Sequence, residues 1–95
     1  MHVTYGSTKD AINLEKHGVS LQLANLLEWE WLQAKRDSRT DYGELRMIGF
    51  APIGDRVYCV VFVDRGDVDH IISRRVISLR KANAREVKRY ANIKT

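Results

Sequence analysis

The sequence predicts an α+β fold: a small antiparallel sheet with two N-terminal helices and one C-terminal helix. Three observations carry this. Residues 7–27 combine helix caps with apolar residues at helical spacing. Residues 45–79 break into three β-like runs, joined by connections too short for parallel crossovers. From Asn83 onward, helical spacing returns behind a capping signature. A chain of 95 residues is expected to make a single domain, residues 1–95, with one modest core.

The elements follow in order. Val3-Thr4-Tyr5 is β-prone and Gly6-Ser7-Thr8 turns, which gives a short first strand. Ser7 or Thr8 is placed to cap the next helix, whose apolar side is Ala11, Ile12 and Leu14. Gly18 behind Lys16-His17 ends that helix, because glycine reaches positive φ and positive charge suits the carbonyl end of the dipole. Ser20 caps a second helix carrying Leu21, Leu23, Ala24, Leu26 and Leu27. Glu28–Leu32 alternates polar and aromatic or apolar residues, which suits a strand or a last helical turn; a strand from about Trp29 to Ala34 is preferred. Lys35–Gly43 is polar and reads as a loop. Leu45–Ala51 is a strand ended by Pro52, Ile53-Gly54-Asp55 turns the chain, and Arg56–Val63 is apolar enough to be a central strand. Asp64–Asp67 reads as a hairpin turn and Val68–Leu79 as the last strand. Asn83-Ala84-Arg85-Glu86 has capping-box spacing, which makes Glu86 a helix cap ahead of a catalytic acid. Ala84, Val87 and Ala91 share one side of the final helix with Tyr90 close by, while Arg85, Lys88 and Arg89 occupy the rest.

Composition narrows the function classes. With 44% apolar and 29% charged residues, the chain is ordinary for a folded soluble protein, not a disordered one. No apolar run approaches the roughly 18 residues of a membrane span, and the N-terminus has no signal-peptide core. The single Cys59 lies in the apolar run Val57–Val63 and reads as a buried, inert thiol. The expected location is the cytoplasm, with no membrane partner. Charge is uneven: residues 74–95 hold eight Lys/Arg against one acid, whereas the rest holds eight against eleven. One strongly basic end points to an acidic partner such as nucleic acid.

No metal or cofactor is expected. His2, His17 and His70 are isolated, the lone cysteine forms no paired-thiol motif, and the acids are scattered. The six glycines sit singly, so no phosphate-binding loop is present. What remains is a set of Arg, Lys, His, Glu and Tyr residues. Chemistry on RNA needs little more. The 2′-hydroxyl serves as internal nucleophile, a base takes its proton, cations hold the phosphate, and an acid protonates the leaving 5′-oxygen. Arginine suits the phosphate role because its planar fork binds two oxygens and stays charged. A basic strand and helix are more often a solvated face or a simple binding patch than an active site.

Three ordered blocks resemble the BrnT family of toxins. The first is Tyr5…Lys9…Asn13-Leu14-Glu15-Lys16-His17-Gly18-Val19. The second is Asp41-Tyr42-Gly43-Glu44-Leu45-Arg46 with its following Gly49. The third is Ile77-Ser78-Leu79-Arg80-Lys81-Ala82, then Glu86 and Tyr90. The resemblance runs over residues 3–91. It implies a RelE-like fold and an RNA-cleaving toxin of a bacterial type II toxin–antitoxin pair. The implied partners are an RNA substrate and a small ribbon-helix-helix antitoxin, with promoter DNA reached only through that antitoxin. Two departures stand out. Tyr5-Gly6 replaces the family's usual Trp-Asp. The interval from Gly66 to Ser78 is about five residues longer than usual, and Ile72-Ser73-Arg74-Arg75 echoes Ile77-Ser78-Leu79-Arg80. Either arginine fits one side of the motif. Ser78–Arg80 is preferred because it keeps the distance to Glu86 and Tyr90.

Carried over residue by residue, Arg46 and Arg80 are the expected phosphate-binding and transition-state-stabilising groups. Lys16 and His17 match the family's Lys-His pair, with His17 as acid or base; helix capping by the same pair is the alternative. Glu44 is expected to orient Arg46 or accept a proton. Lys81, Arg85, Lys88, Arg89 and Tyr90 are candidates for binding RNA, with Tyr90 either stacking on a base or packing on the sheet. Tyr58, in a central strand, ranks lower. The expected function is a metal-independent endoribonuclease toxin. A non-catalytic nucleic-acid-binding module is the alternative, as is a degenerate toxin that only binds its antitoxin.

Overall fold

A computed structural model describes residues 1–39, 41–67 and 69–94. These form two α-helices and a five-stranded mixed sheet in the order β1-β5-β4-β3-β2. The strands are β1 (His2–Thr4), β2 (Gln33–Arg36), β3 (Met47–Ile53), β4 (Arg56–Gly66) and β5 (Ile71–Lys81). The helices are α1 (Ser7–His17) and α2 (Ala84–Lys94). The α+β expectation holds, but the sheet is not all antiparallel: β1 pairs parallel with β5 through His2–Ser73, Val3–Arg74 and Thr4–Arg75. The long excursion through the other strands serves as the crossover that a parallel pair needs.

Helix α1 ends as its sequence implies. Gly18 adopts φ 69° and its N–H reaches Leu14 O at 2.8 Å. Its start differs. Gly6, not Ser7 or Thr8, is the N-cap, and no side chain caps it. The expected second α-helix is a 3-10 helix, Leu21–Leu26. Ser20 still caps it, accepting from Gln22 N–H, and the Asp10 carboxylate accepts from Ser20 Oγ and Leu21 N–H. This ties the start of the short segment to α1. Trp29–Trp31 forms another 3-10 turn where a strand was expected, and β2 starts only at Gln33. Pro52 lies inside β3 instead of ending it, because its carbonyl is bonded by Glu28 N–H, and proline lacks only the donor. Gly49 is required by close approach: an added Cβ would lie 2.7 Å from both Ala34 Cβ and Gln33 O on β2. The β4–β5 turn falls at Asp67–His70, later than Asp64–Asp67, and Asp67 Oδ1 accepts from Asp69 and His70 N–H. The expected strand start at Val68, and Thr40 in the expected loop, lie outside the described residues.

The two faces of the sheet have different fates. Tyr58, Val60 and Phe62 of β4, with Val76 and Leu79 of β5 and Ala51 of β3, pack under Val19, Leu21, Ala24 and Leu27. Trp29 meets Phe62 edge-on at 5.7 Å. On the other face, Val61, Val63 and Ile77 form a smaller cluster with Ile48.

A bulge in β5 controls which side chains reach that second face. Val61 pairs with Ser78, yet Phe62 pairs with Val76, which leaves Ile77 as the extra residue. Side chains alternate with period two, so one extra residue reverses the facing of everything beyond it. Arg74 and Arg80 would share a face in a regular strand. The bulge puts them on opposite faces.

Candidate active site

The second face carries a cavity of about 320 Å³ between α1, the sheet and the segment joining β2 to β3. From α1 come Lys9, Ile12, Asn13, Lys16 and His17, which follow helical spacing along one side. From the β2–β3 segment come Asp37, Arg39, Tyr42 and Arg46, and from β5 come Ser78 and Arg80. The floor includes Cys59 and Val61 of β4. The cavity thus gathers Arg46, Arg80, Lys16 and His17 from three distant parts of the chain.

Each cavity arginine is held by a carboxylate. Arg80 lies opposite Cys59 on β4, and its guanidinium forks onto Glu86 at 2.8 and 2.9 Å. Glu86 also completes the capping box: Asn83 N–H donates to Glu86 Oε1, and Glu86 N–H donates to Asn83 Oδ1. The Arg80 hydrogen bonds, with smaller help from Asn83, hold its carboxyl down at about 2, while the Arg80 pKa is raised. The cap thus also orients a cavity arginine. Arg46 donates from Nε to Glu44 at 3.1 Å and lies over the Tyr42 ring at 4.2 Å. Glu44 itself does not line the cavity; it touches the site through Arg46.

His17 sits at the end of α1. Burial, then the charges of Lys16 and Arg80, lower its pKa from the ordinary 6.5. The neutral imidazole is therefore favoured near neutral pH. Lys16 and His17 stand in the last turn of α1, which Gly18 ends, and both line the cavity.

Asn13 anchors this end. It is buried on α1, donates to Leu79 O and Val19 O, and accepts from Leu79 N–H. Its amide thereby takes the place of a strand neighbour along β5 beyond the reach of β1, beside Ser78 and Arg80. Opposite it, Asp37 is buried beneath the β2–β3 segment. It accepts two bonds from the Arg39 side chain at 2.8 Å and one from Tyr42 Oη at 3.2 Å. These bonds, those of Arg39 first, lower its pKa to about 2.

The expected RNA-binding residues divide. Lys81, Arg85 and Lys88 are exposed but do not line the cavity. Arg89 lines a neighbouring cavity. Tyr90 is only 6% exposed and donates from its hydroxyl to Trp31 O at 2.7 Å. It packs into the fold, as the packing alternative expects, and it lines the same neighbouring cavity as Arg89. Tyr58 is likewise in the core. Cys59 is buried and burial pushes its thiol up, as expected for an inert group. Arg74, the rival in the duplicated motif, lies on the opposite face: it forks onto Asp64 at 2.6 and 2.9 Å and sits over Phe62 and Trp29.

Sequence reasoning did not select Lys9, Asp37, Arg39 or Tyr42 as site residues. Lys9 stood within the quoted opening motif, and Tyr42 beside the Glu-x-Arg segment, so those signals existed. Asp37 and Arg39 lie in a polar stretch that reads as solvated loop, and nothing local marks the burial of Asp37 or its pairing with Arg39. Among the described residues, no group of three or more His, Cys, Asp or Glu side chains is placed to hold a metal ion.

A family model described as the ribonuclease toxin BrnT of a type II toxin–antitoxin system matches residues 5–86. The chain belongs to the BrnT family. That span holds Lys9, Lys16, His17, Arg46, Arg80 and Glu86, while Tyr90 lies beyond it. BrnT proteins are ribonuclease toxins, so RNA is the target and an antitoxin the partner. A search of curated proteins returned no match. No described helix of this BrnT chain is long and apolar enough to cross a membrane.

Proposed function

We propose that this BrnT-family toxin is a metal-independent endoribonuclease that cuts RNA through the substrate's own 2′-hydroxyl. One observation supports this above the rest: Arg46, Arg80, Lys16 and His17 converge on one cavity, each cavity arginine oriented by a carboxylate. Arg46 and Arg80 hold the non-bridging phosphate oxygens and stabilise the charge that builds there. Neutral His17 takes the 2′-hydroxyl proton as that oxygen bonds to phosphorus. The bond from phosphorus to the 5′-oxygen breaks, and Lys16 delivers a proton to the departing oxygen. The products are a 2′,3′-cyclic phosphate and a 5′-hydroxyl. Glu44 and Glu86 orient arginines instead of moving protons. Lys81, Arg85 and Lys88 gather RNA through long-range attraction.

The antitoxin is proposed to be a small ribbon-helix-helix protein that covers the cavity and carries the complex to promoter DNA. The domain is proposed to work in the cytoplasm and to share the RelE-like architecture. Cleavage of a labelled RNA tests the site. Arg46→Ala and Arg80→Ala, both folded, should each lose at least tenfold in rate, and unchanged rates for both sink the assignment. The end-group analysis should find the cyclic phosphate. The rate should rise with pH through a value below 6.5, as His17 loses its proton. Salt-dependent RNA binding without any cleavage would favour a pure binding module.

A further inference from the structure

Next to the first cavity lies a second, of about 240 Å³. Ile48 walls both. The Arg80–Glu86 pair also spans them, since Arg80 lines the first and Glu86 the second. The floor of the second cavity is Ile48 and the half-buried Phe50 of β3. Its rim carries two exposed cations, Lys35 from β2 and Arg89 from α2. Its acid, Glu86, is already engaged by Arg80 and Asn83.

Register fixes the distance between the cavities. Phe50 pairs with Cys59, and Cys59 pairs with Arg80, so the three lie in one row across adjacent strands. At the usual strand spacing, Phe50 and Arg80 are roughly 10 Å apart. An aromatic platform flanked by cations and continuous with a phosphate site is the arrangement that holds single-stranded nucleic acid.

We propose that the second cavity is a subsite for a nucleotide one step beyond the pair that flanks the scissile phosphate. The base stacks on Phe50, and Lys35 and Arg89 hold its backbone phosphate. The subsite rests on the proposed function, in which the first cavity takes the scissile phosphate. It also gives Arg89 a specific task that the other exposed cations of α2 lack.

The test uses two RNA oligonucleotides made uncleavable by a 2′-deoxy sugar at the scissile step. One is a dinucleotide; the other carries one more nucleotide on each side. Binding is followed by fluorescence anisotropy. The longer RNA should bind wild-type protein roughly 5- to 100-fold tighter than the dinucleotide, as stacking of a base on an aromatic ring implies. Phe50→Leu, which keeps an apolar floor without the ring, and Arg89→Gln should each cut that ratio at least threefold, with folding checked by circular dichroism. A wild-type ratio near one overturns the subsite, and so does a ratio unmoved in both variants. Variants that weaken antitoxin binding while leaving the RNA ratio intact also overturn it, and assign the cavity to the protein partner. Failure of the underlying reading appears separately, as dinucleotide binding that Arg80→Ala leaves unchanged; that result removes the subsite with it.

Discussion

Arg74 and Arg80 stand on the same strand, and each forks onto one carboxylate. Arg74 is held by Asp64 over the rings of Trp29 and Phe62, with its side chain 11% exposed. Arg80 is held by Glu86 at the rim of a cavity, with its side chain 35% exposed. Arg74 spends its charge inside the fold, on aromatic faces and a neighbour. Arg80 is oriented from one side and keeps another open toward the cavity. On the proposed function the same side chain is a brace in one place and a tool in the other, and the bulge at Ile77 puts the two on opposite faces.

Substituting each arginine breaks this comparison most sharply. Arg80→Ala should lower RNA cleavage by about 100- to 1000-fold, the usual loss for one preorganised transition-state partner. Its melting temperature should fall as well, because Glu86 loses the partner that holds its carboxyl low. Arg74→Ala should act on stability alone. It leaves Asp64 without its partner and uncovers two rings, at a cost of about 2 kcal/mol once the partial exposure of Asp64 is discounted. That corresponds to a melting temperature lower by roughly 10 °C. Cleavage per folded molecule should survive. If both variants lose activity equally while folded, the assignment of tool and brace is wrong.

The duplicated Ile-Ser-x-Arg pattern shows how far the sequence reaches. Motif spacing to Glu86 and Tyr90 selected Arg80, and the capping box was visible in Asn83 and Glu86. Gly18 and Ser20 likewise announced where α1 stops and the next turn begins. The bulge was not legible, because Val76-Ile77-Ser78-Leu79 reads equally well as a regular strand. Nor could the sequence show that Asp10 holds the start of Leu21–Leu26, or that this segment is a 3-10 helix. Asp37 was hidden for a related reason: its burial is set by Arg39, Tyr42 and the chain that folds over it, not by its neighbours' hydropathy.

A milder substitution sharpens what orients Arg80. Glu86→Gln keeps a capping-box side chain at the start of α2 but removes the charge beneath the guanidinium. Cleavage should fall about tenfold, from one weakened charge-assisted pair. The loss should appear mainly in kcat, with the helix content unchanged by circular dichroism. An unchanged kcat would leave Glu86 as a helix cap only.

Acid titration compares the two carboxylates that the site keeps ionised. Asp37 and Glu86 both have folded pKa values near 2, below ordinary values of 3.8 and 4.5. A depressed carboxylate pKa adds stability above the unfolded value, and this is lost as pH falls through the folded one. Stability should therefore decline between about pH 4.5 and 2. Asp37→Asn should flatten the lower part of that decline by about 1 kcal/mol, a figure discounted because Arg39 is largely exposed. Chemical denaturation at several pH values measures it, and an Asp37→Asn curve parallel to wild type would remove Asp37 from the account.

The smallest expected effect concerns Arg46, whose support is aromatic as well as ionic. Tyr42 presents its ring to Arg46 and ties its own hydroxyl to buried Asp37. The ring therefore cannot swing away without breaking a bond to a carboxylate that is also holding Arg39. Tyr42→Phe keeps the ring and loses the tie; Tyr42→Leu loses both. A cation–π contact at a partly exposed site is worth about 0.5–1 kcal/mol, so Tyr42→Leu should slow cleavage roughly two- to fivefold. Tyr42→Phe should fall between that and wild type. Because Tyr42 acts through Arg46, combining Tyr42→Leu with Arg46→Ala should cost no more than Arg46→Ala alone. If the two losses multiply instead, Tyr42 touches the substrate by itself, and the loop between β2 and β3 is a binding element as well as a support.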